Sequence, residues 1–287
     1  GERSTCRLLL ALTEEPRRLQ LGMRTARVEA LQGAGSEPSC LVLLTGPTGC
    51  GKSTTLFTVI SELVRQGRGN VMTVEDPIEH EIAGASQVEV DSLEKVSFSR
   101  ALRSILRHDP DVIMLGEIRD AETARIAVKA ALTGHLVFST LHTNTAAGAV
   151  SRLLDMGVEP YLLAATLRLT VAQRLVRRLC ERCRQPMSLD EIAANSLERP
   201  ELTGQYVYRP GACVYCLGKG YRGRLALFET MPVDGELAKL ISNAATEADL
   251  LEHVERHGLL RLRGDGINKL LAGETTIQQV LKASVTW

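Results

Sequence analysis

Leu41-Val42-Leu43-Leu44-Thr45-Gly46-Pro47-Thr48-Gly49-Cys50-Gly51-Lys52-Ser53 is the stretch on which the fold turns. Its first four residues make an apolar run of strand length, and Gly46 to Ser53 fits G-x-x-x-x-G-K-[ST] in full. Helical spacing of apolar residues begins directly afterwards, over about 52–66. A strand, a glycine-rich turn and a helix in that order let successive backbone N–H groups point at one anion, and the helix N-terminus adds positive potential. Gly46, Pro47, Thr48, Gly49, Cys50, Gly51, Lys52, Ser53 and the adjoining Thr54 are therefore candidate phosphate-binding residues. Lys52 is expected to reach the β- and γ-phosphates of a nucleotide such as ATP, and Ser53 to ligate Mg²⁺. A chance glycine-rich turn is the competing reading, and the flanking strand and helix count against it. Cys50 contributes its backbone, and its thiol is expected to be sensitive to modification.

Working outward, apolar runs of strand length recur at Val71–Val74, Val112–Leu115 and Leu136–Phe138. Helical patterns separate them at about 97–107 and 121–132, the latter with Asp120 at its N-cap and Gly134 just past its end. Continuous apolar strands with interposed helices predict an α/β fold with a parallel sheet covered on both faces. A shorter alternating run, Gln87–Val90, predicts an edge strand. Residues 145–178 read as helices with a break at Gly157-Val158-Glu159-Pro160, and a helical tail follows near 235–243, 246–257, 264–272 and 276–284. Before the first strand lie a strand-like run near 6–12, a polar segment, and a linker by composition, Gly33-Ala34-Gly35-Ser36-Glu37-Pro38. The start at Gly1-Glu2-Arg3, without an initiator Met, suggests a piece of a longer chain.

In a parallel sheet, ligands sit beyond the carboxyl ends of the strands. Each strand expected here ends in polar residues: the phosphate loop, then Glu75-Asp76, then Glu117 and Arg119, then Thr140 and His142. Glu117 follows Val112-Ile113-Met114-Leu115-Gly116 and is the candidate for positioning or deprotonating an attacking water. Gly116 stands where an acidic residue often holds the magnesium side, a role left to Glu75 or Asp76. The bland alternatives are a solvated loop carboxylate for Glu117 and plain turn chemistry for Asp76-Pro77. His142 is a candidate sensor of the γ-phosphate, whereas His135 belongs at the opposite edge. Arg119 is expected to bind phosphate or an interface. Arg100, Arg103 and Arg107 share one helix face, open to solvent, to nucleotide or to a neighbouring subunit.

The 34 basic and 34 acidic residues balance, so nothing suggests a general grip on nucleic acid, and 3% aromatics leaves few stacking platforms for single strands. No apolar run approaches the roughly 20 residues needed to span a bilayer, so the chain reads as soluble and cytosolic. Of the seven cysteines, four form Cys180-x2-Cys183-x29-Cys213-x2-Cys216. Two CxxC pairs supply four thiolates, the requirement of a closed structural Zn²⁺ site. Unligated core cysteines and a catalytic dithiol are the alternatives.

Taken together these residues resemble the GspE/PilB group of secretion ATPases. The matching stretches are Gly46–Ser53, Thr73–Glu79, Asp109–Asp120 and Thr133–Asn144, which look like that group's Walker A motif, Asp box, atypical Walker B motif and His box in order. The likeness continues through Leu153–Pro160 and Ala172–Cys180 and covers about residues 40–230. It implies a RecA-like P-loop domain with a mostly parallel sheet flanked by helices, plus a zinc-binding insert and a helical C-terminal region. The corresponding division is 1–33 (the remnant of an N-terminal domain plus a linker), 34–178 (the ATPase core), 179–225 (the tetracysteine subdomain) and 226–287 (the helical C-terminal subdomain). The four cysteines look like the insert of type II secretion and type IV pilus assembly ATPases, which retraction ATPases typically lack. The resemblance further implies a homo-hexamer with ATP between subunits and Arg side chains donated across the interface. Its expected place is the cytoplasmic side of a bacterial inner membrane, against platform proteins and the cytoplasmic domain of a membrane anchor, driving pilin-like subunits into a filament. Two competitors stand beside an assembly motor: a nucleic-acid motor, disfavoured by neutral charge and scarce aromatics, and a nucleotide-gated docking module with little turnover.

Overall fold

The computed structural model of the protein describes residues 23, 25–90, 97–259 and 261–284. Helix α1 (Thr25–Ser36) leads into β1 (Cys40–Thr45), α2 (Lys52–Arg65), β2 (Val71–Glu75) and β3 (Ser86–Glu89). Then come α3 (Phe98–Ile105), β4 (Val112–Leu115), α4 (Ala121–Leu132), β5 (Leu136–Leu141), α5 (Ala146–Asp155) and α6 (Pro160–Thr166). The chain continues through β6 (Leu167–Leu179), β7 (Gln185–Ser188), α7 (Glu191–Ser196), β8 (Tyr206–Arg209) and β9 (Tyr221–Pro232). It closes with α8 (Gly235–Ser242), α9 (Glu247–Arg256), α10 (Leu262–Leu271) and α11 (Ile277–Ser284).

Seven strands form one sheet in the order β3-β2-β4-β5-β1-β6-β9, parallel except for β9, which runs antiparallel to β6. Every residue of β1, β4 and β5 is buried. That burial is why these strands read as unbroken apolar runs rather than as alternations. The strand period of two divides them between two cores. Leu41, Leu43, Val74, Ile113, Leu115 and Val137 face α3, α4, α5 and the C-terminal helices α8 and α9. Val42, Leu44, Met114 and Phe138 face Leu56, Val59, Ile60 and Leu63 of α2, together with Leu31 of α1. The expected caps form: the Asp120 carboxylate accepts from the Thr123 N–H at 2.8 Å and starts α4, and Gly134 leaves it with φ 110°.

Three expectations fail, each for a tertiary reason. The helical reading of 145–178 holds only through Thr166, because 167–179 is the longest strand of the sheet. In that strand Val171, Leu175 and Leu179 recur every four residues and imitate a helix, but pairing with β1 on one side and β9 on the other decides the conformation. β9 itself escapes the sequence reading, because Leu225 to Met231 are all buried and hide the alternation. The seam expected at 225/226 therefore falls inside a strand that belongs to the central sheet. Lastly, Gly33 to Ser36 are the end of α1 rather than linker, since Leu31 and Ala34 are buried against the second core. The strand-like run near 6–12 lies outside the described residues.

Residues 180–220 form a separate small unit. A two-stranded sheet of β7 and β8 packs with α7 over a cluster of Leu189, Ala194, Leu197, Leu202 and Val207, to which Ile267, Leu270 and Val280 of the tail contribute.

Candidate functional site

At the C-terminal edge of the parallel strands lies one cavity of about 850 Å³. The turn from β1 to α2 forms its floor. Gly51 takes φ 89°, a left-handed conformation that starts α2, and Gly46 takes φ 150° where a side chain would strike the Gln173 carbonyl and the Cys50 sulfur. Lys52 is buried, and its Nζ donates to the carbonyls of Gly46 (2.7 Å) and Pro47 (3.2 Å). Burial pushes its ammonium pKa down. Thr48, Gly49, Gly51, Lys52, Ser53 and Thr54 all border the cavity. Gly46, Pro47 and Cys50 shape the loop without lining it. Cys50 is 4% exposed, and burial raises its thiol pKa, so the expected thiol sensitivity is not a property of this fold.

The neighbouring strand ends bring Glu75, Asp76, Glu117, Arg119 and His142 to the same cavity. Arg119 sits between two carboxylates, 2.5 Å from Glu117 Oε1 and 3.4 Å from Asp76 Oδ2. His142 Nε2 approaches the other oxygen of Glu117 at 3.4 Å. The hydrogen bond from Arg119 holds the Glu117 carboxyl below the usual carboxylate range, against the opposing pull of partial burial. Glu75 is fixed differently: its Oε1 accepts from Thr73 Oγ1 at 2.6 Å and from Gln87 Nε2 at 2.9 Å. Gly116 is explained by space. A Cβ there would lie 3.3 Å from the Val74 carbonyl and 3.5 Å from Glu75 Cα, so the end of β2 occupies the room a longer side chain would need.

Sequence reasoning overlooked Gln173. It is buried in β6, its Nε2 donates to the Cys50 carbonyl at 2.8 Å and its Oε1 accepts from Thr55 at 2.9 Å, pinning the phosphate loop from below. The signal is an amide directly after the apolar pair Val171-Ala172, and a helical reading of the segment hides it. His135 lies at the far edge as expected, with Nδ1 on the Ala130 carbonyl at 2.9 Å. Arg103 is spent on Glu122 at 2.5 Å, and Arg100 borders a smaller groove beside α3. None of Arg100, Arg103 and Arg107 lines the main cavity.

Two metal sets deserve separate tests of fit. Beside the loop, the Ser53 hydroxyl and the carboxylates of Glu75, Asp76 and Glu117 are hard oxygen donors, the kind Mg²⁺ takes. In the small unit, the sulfurs of Cys180 and Cys213 are 3.8 Å apart, those of Cys183 and Cys216 3.7 Å, and those of Cys213 and Cys216 3.7 Å. A tetrahedral ion with bonds of about 2.3 Å requires sulfurs about 3.8 Å apart. All four thiols are unbridged, and the Gly220 N–H donates to Cys216 Sγ at 3.2 Å.

A glycine-rich cradle at the carboxyl edge of a mostly parallel sheet, faced by carboxylates from adjacent strands, defines an α/β P-loop nucleotide-binding protein. A solved structure described as the pilus retraction motor PilT with bound ADP matches this fold with TM-score 0.73, at 28% identity, over 96% of this chain and 69% of that one. A solved structure of the Legionella pneumophila ATPase DotB matches with TM-score 0.67, at 25% identity, over 92% of this chain and 64% of that one. More narrowly, the chain belongs to the type II/IV secretion system protein family, whose pattern matches residues 1–282. It is 45% identical to the type II secretion system protein E of Aeromonas hydrophila, over 99% of this chain and 56% of that protein. It is 42% identical to the type IV pilus assembly ATPase PilB of Thermus thermophilus, over 99% of this chain and 32% of that protein. The chain thus spans little more than half the length of the first and about a third of the second. No described helix is long and apolar enough to cross a membrane.

Proposed function

We propose that the chain is the ATP-hydrolysing motor region of a type II secretion system, powering assembly of pilin-like subunits and protein export at the inner membrane. The observation that carries this reading is the single cavity shared by Lys52 and Glu117. In the proposed cycle Lys52 exchanges its carbonyl partners for the β- and γ-phosphate oxygens, while loop N–H groups hold the rest of the triphosphate. Ser53, with Glu75 or Asp76, would hold Mg²⁺, which would supply neutralising charge for the phosphates. Glu117, kept ionised by Arg119, orients the attacking water and takes its proton. His142 touches Glu117 and joins β5 to the loop before α5, so loss of the γ-phosphate changes a contact that continues into that helix.

Zn²⁺ on Cys180, Cys183, Cys213 and Cys216 would brace the small unit and, with every position filled by sulfur, perform no chemistry. The division into core, tetracysteine subdomain and helical tail belongs to this reading, as do a homo-hexamer, inner-membrane platform partners, a membrane anchor's cytoplasmic domain, and a cytoplasmic place peripheral to that membrane. Type IV pilus extension is the second reading, favoured by relatives such as the PilB of Myxococcus xanthus at 45% identity.

Glu117→Gln tests the assignment. ATP binding should persist while steady-state hydrolysis falls about 10²–10⁴-fold. Wild-type turnover no higher than the variant's would favour a docking module instead. Restoring secretion, or piliation, with a full-length version in cells lacking one motor or the other decides between the two systems.

A further inference from the structure

Asp234, His253 and His257 form a second cluster of metal-ligating side chains, remote in sequence from the four cysteines. Asp234 caps the start of α8 with its Oδ1, which accepts from the Leu237 N–H at 2.7 Å. That leaves Oδ2 directed at His253 Nε2, 3.3 Å away. His253 and His257 stand four residues apart on α9, so they share a face, and their rings stack with centroids 4.1 Å apart. Glu236 adds negative charge beside the pair, its Oε2 lying 3.9 Å from His253 Nδ1, the nitrogen turned away from Asp234, and 3.9 Å from His257 Nε2.

The tautomer of His257 is fixed by its neighbour. Its Nδ1 lies 2.9 Å from the backbone carbonyl of His253, and a carbonyl only accepts, so Nδ1 carries a proton and Nε2 is the nitrogen left to face an ion. An imidazole whose second nitrogen is engaged with a backbone carbonyl is the usual form of a metal-bound histidine. His253 is only 3% exposed, so its ring is held rather than floating. Donors to one tetrahedral ion at bonds of about 2.0–2.1 Å lie about 3.4 Å apart. The Asp234–His253 pair already meets that distance, and the ligand atoms of Asp234, His253 and His257 all lie within 4.8 Å of one another.

We propose that Asp234, His253 and His257 bind a divalent transition-metal ion of the zinc class, pinning the start of α8 to α9. Two imidazoles select a borderline ion over Mg²⁺ or Ca²⁺, and the Asp234 carboxylate offsets part of its charge. The ion replaces the proton between His253 and Asp234, which leaves to solvent. The position matters because α9 also begins with Glu247, whose carboxylate accepts from Thr145 Oγ1 at 2.5 Å, and Thr145 caps α5 directly after the His142 loop. His253 lies six residues along from Glu247, about 9 Å at the helical rise. A fixed α9 therefore fixes one anchor of that loop.

Equilibrium dialysis of the purified chain against zinc chloride, comparing wild type with His257→Gln, tests the site. His257 is 45% exposed, so the change should leave folding intact. The cysteines contribute equally to both proteins, and the difference between them isolates this cluster. The expected result is one zinc fewer per chain in His257→Gln. At hundredfold excess over Kd, zinc should also raise the melting temperature by about 5 °C more in wild type than in the variant. Equal zinc in the two proteins, or a melting shift unchanged by His257→Gln, overturns the proposal.

Discussion

The nucleotide rim and the cysteine unit solve the problem of holding polar groups in place by opposite means. At the rim, the charged side chains already have protein partners: Lys52 on the Gly46 carbonyl, Glu117 on Arg119 and His142, Glu75 on Thr73 and Gln87. Behind these contacts stand buried strands whose own ladders fix the backbone. In the cysteine unit, four sulfurs have little except one another, over a cluster of only eight buried residues, three of them lent by the tail. The rim is therefore assembled before its ligand arrives, whereas on the proposed zinc reading the cysteine unit would be assembled by its ion. Substrate binding at the rim must break charged contacts, whereas a metal at the cysteines would replace only weak thiol contacts.

Removing metal should give the largest effect. Zinc-finger peptides gain about 10–16 kcal/mol from their ion at neutral pH, far beyond what a cluster this small can replace. Chelation, or Cys183→Ser with Cys216→Ser, should release backbone amides of 180–220 to hydrogen exchange while β1, β4 and β5 stay protected. Simultaneous loss of protection in both regions would break the contrast, because the sheet would then depend on the ion as well.

The next largest effect lies at the joint between them. Asp265 on α10 accepts from the Phe228 N–H at 2.9 Å and from Lys269 Nζ at 2.9 Å, and both charged side chains are buried. Lys269 also donates to the Ala226 carbonyl. These bonds tie α10 to β9 of the large sheet, while Ile267 and Leu270 of the same helix enter the core of the cysteine unit. Asp265→Ala leaves an ammonium buried opposite a lost partner, and should cost about 3–5 kcal/mol in denaturant unfolding. Replacing both residues by apolar ones of similar size should recover much of that loss. Failure of the double replacement to recover stability would mean that the pair holds the two regions in register rather than only neutralising itself.

The same contrast explains what could be read beforehand. Strands β1, β2, β4 and β5 are buried on both faces and hand over to glycine-containing or polar loops, so composition alone marks both their span and their exit. The phosphate loop and the cysteine spacing are local patterns, and each is a short, fixed interval along the chain. β6 and β9 are neither. Their conformation comes from partners separated from them by the whole cysteine unit, and in β6 the arginines at 174, 177 and 178 fall where a helix would also expose them. Gln173 was invisible for the same reason: its role exists only because β6 runs beneath the loop. The pairing of His253 with Asp234 likewise depends on how two helices dock.

The smallest effect sharpens the account of the rim itself. If its groups hold one another before ligand binds, removing Arg119 should change how Glu117 titrates more than how tightly nucleotide binds. The hydrogen bond from Arg119 is the leading cause of the lowered Glu117 pKa, and burial is the main opposing influence. Without the guanidinium, burial prevails and the carboxyl pKa rises. A base must be ionised to accept a proton, so the acid limb of the turnover profile should move to higher pH in Arg119→Ala, while rates above neutral pH change by less than about tenfold. Stability follows the same sign: a carboxyl depressed in the folded state stabilises above its unfolded value and loses that contribution as pH falls through the folded one. Arg119→Ala should therefore be penalised more near neutral pH than in acid, where Glu117 is protonated in both proteins. A profile that falls uniformly at all pH values, with no displacement of its acid limb, would mean that Arg119 acts on phosphate or on a neighbouring subunit and not through Glu117.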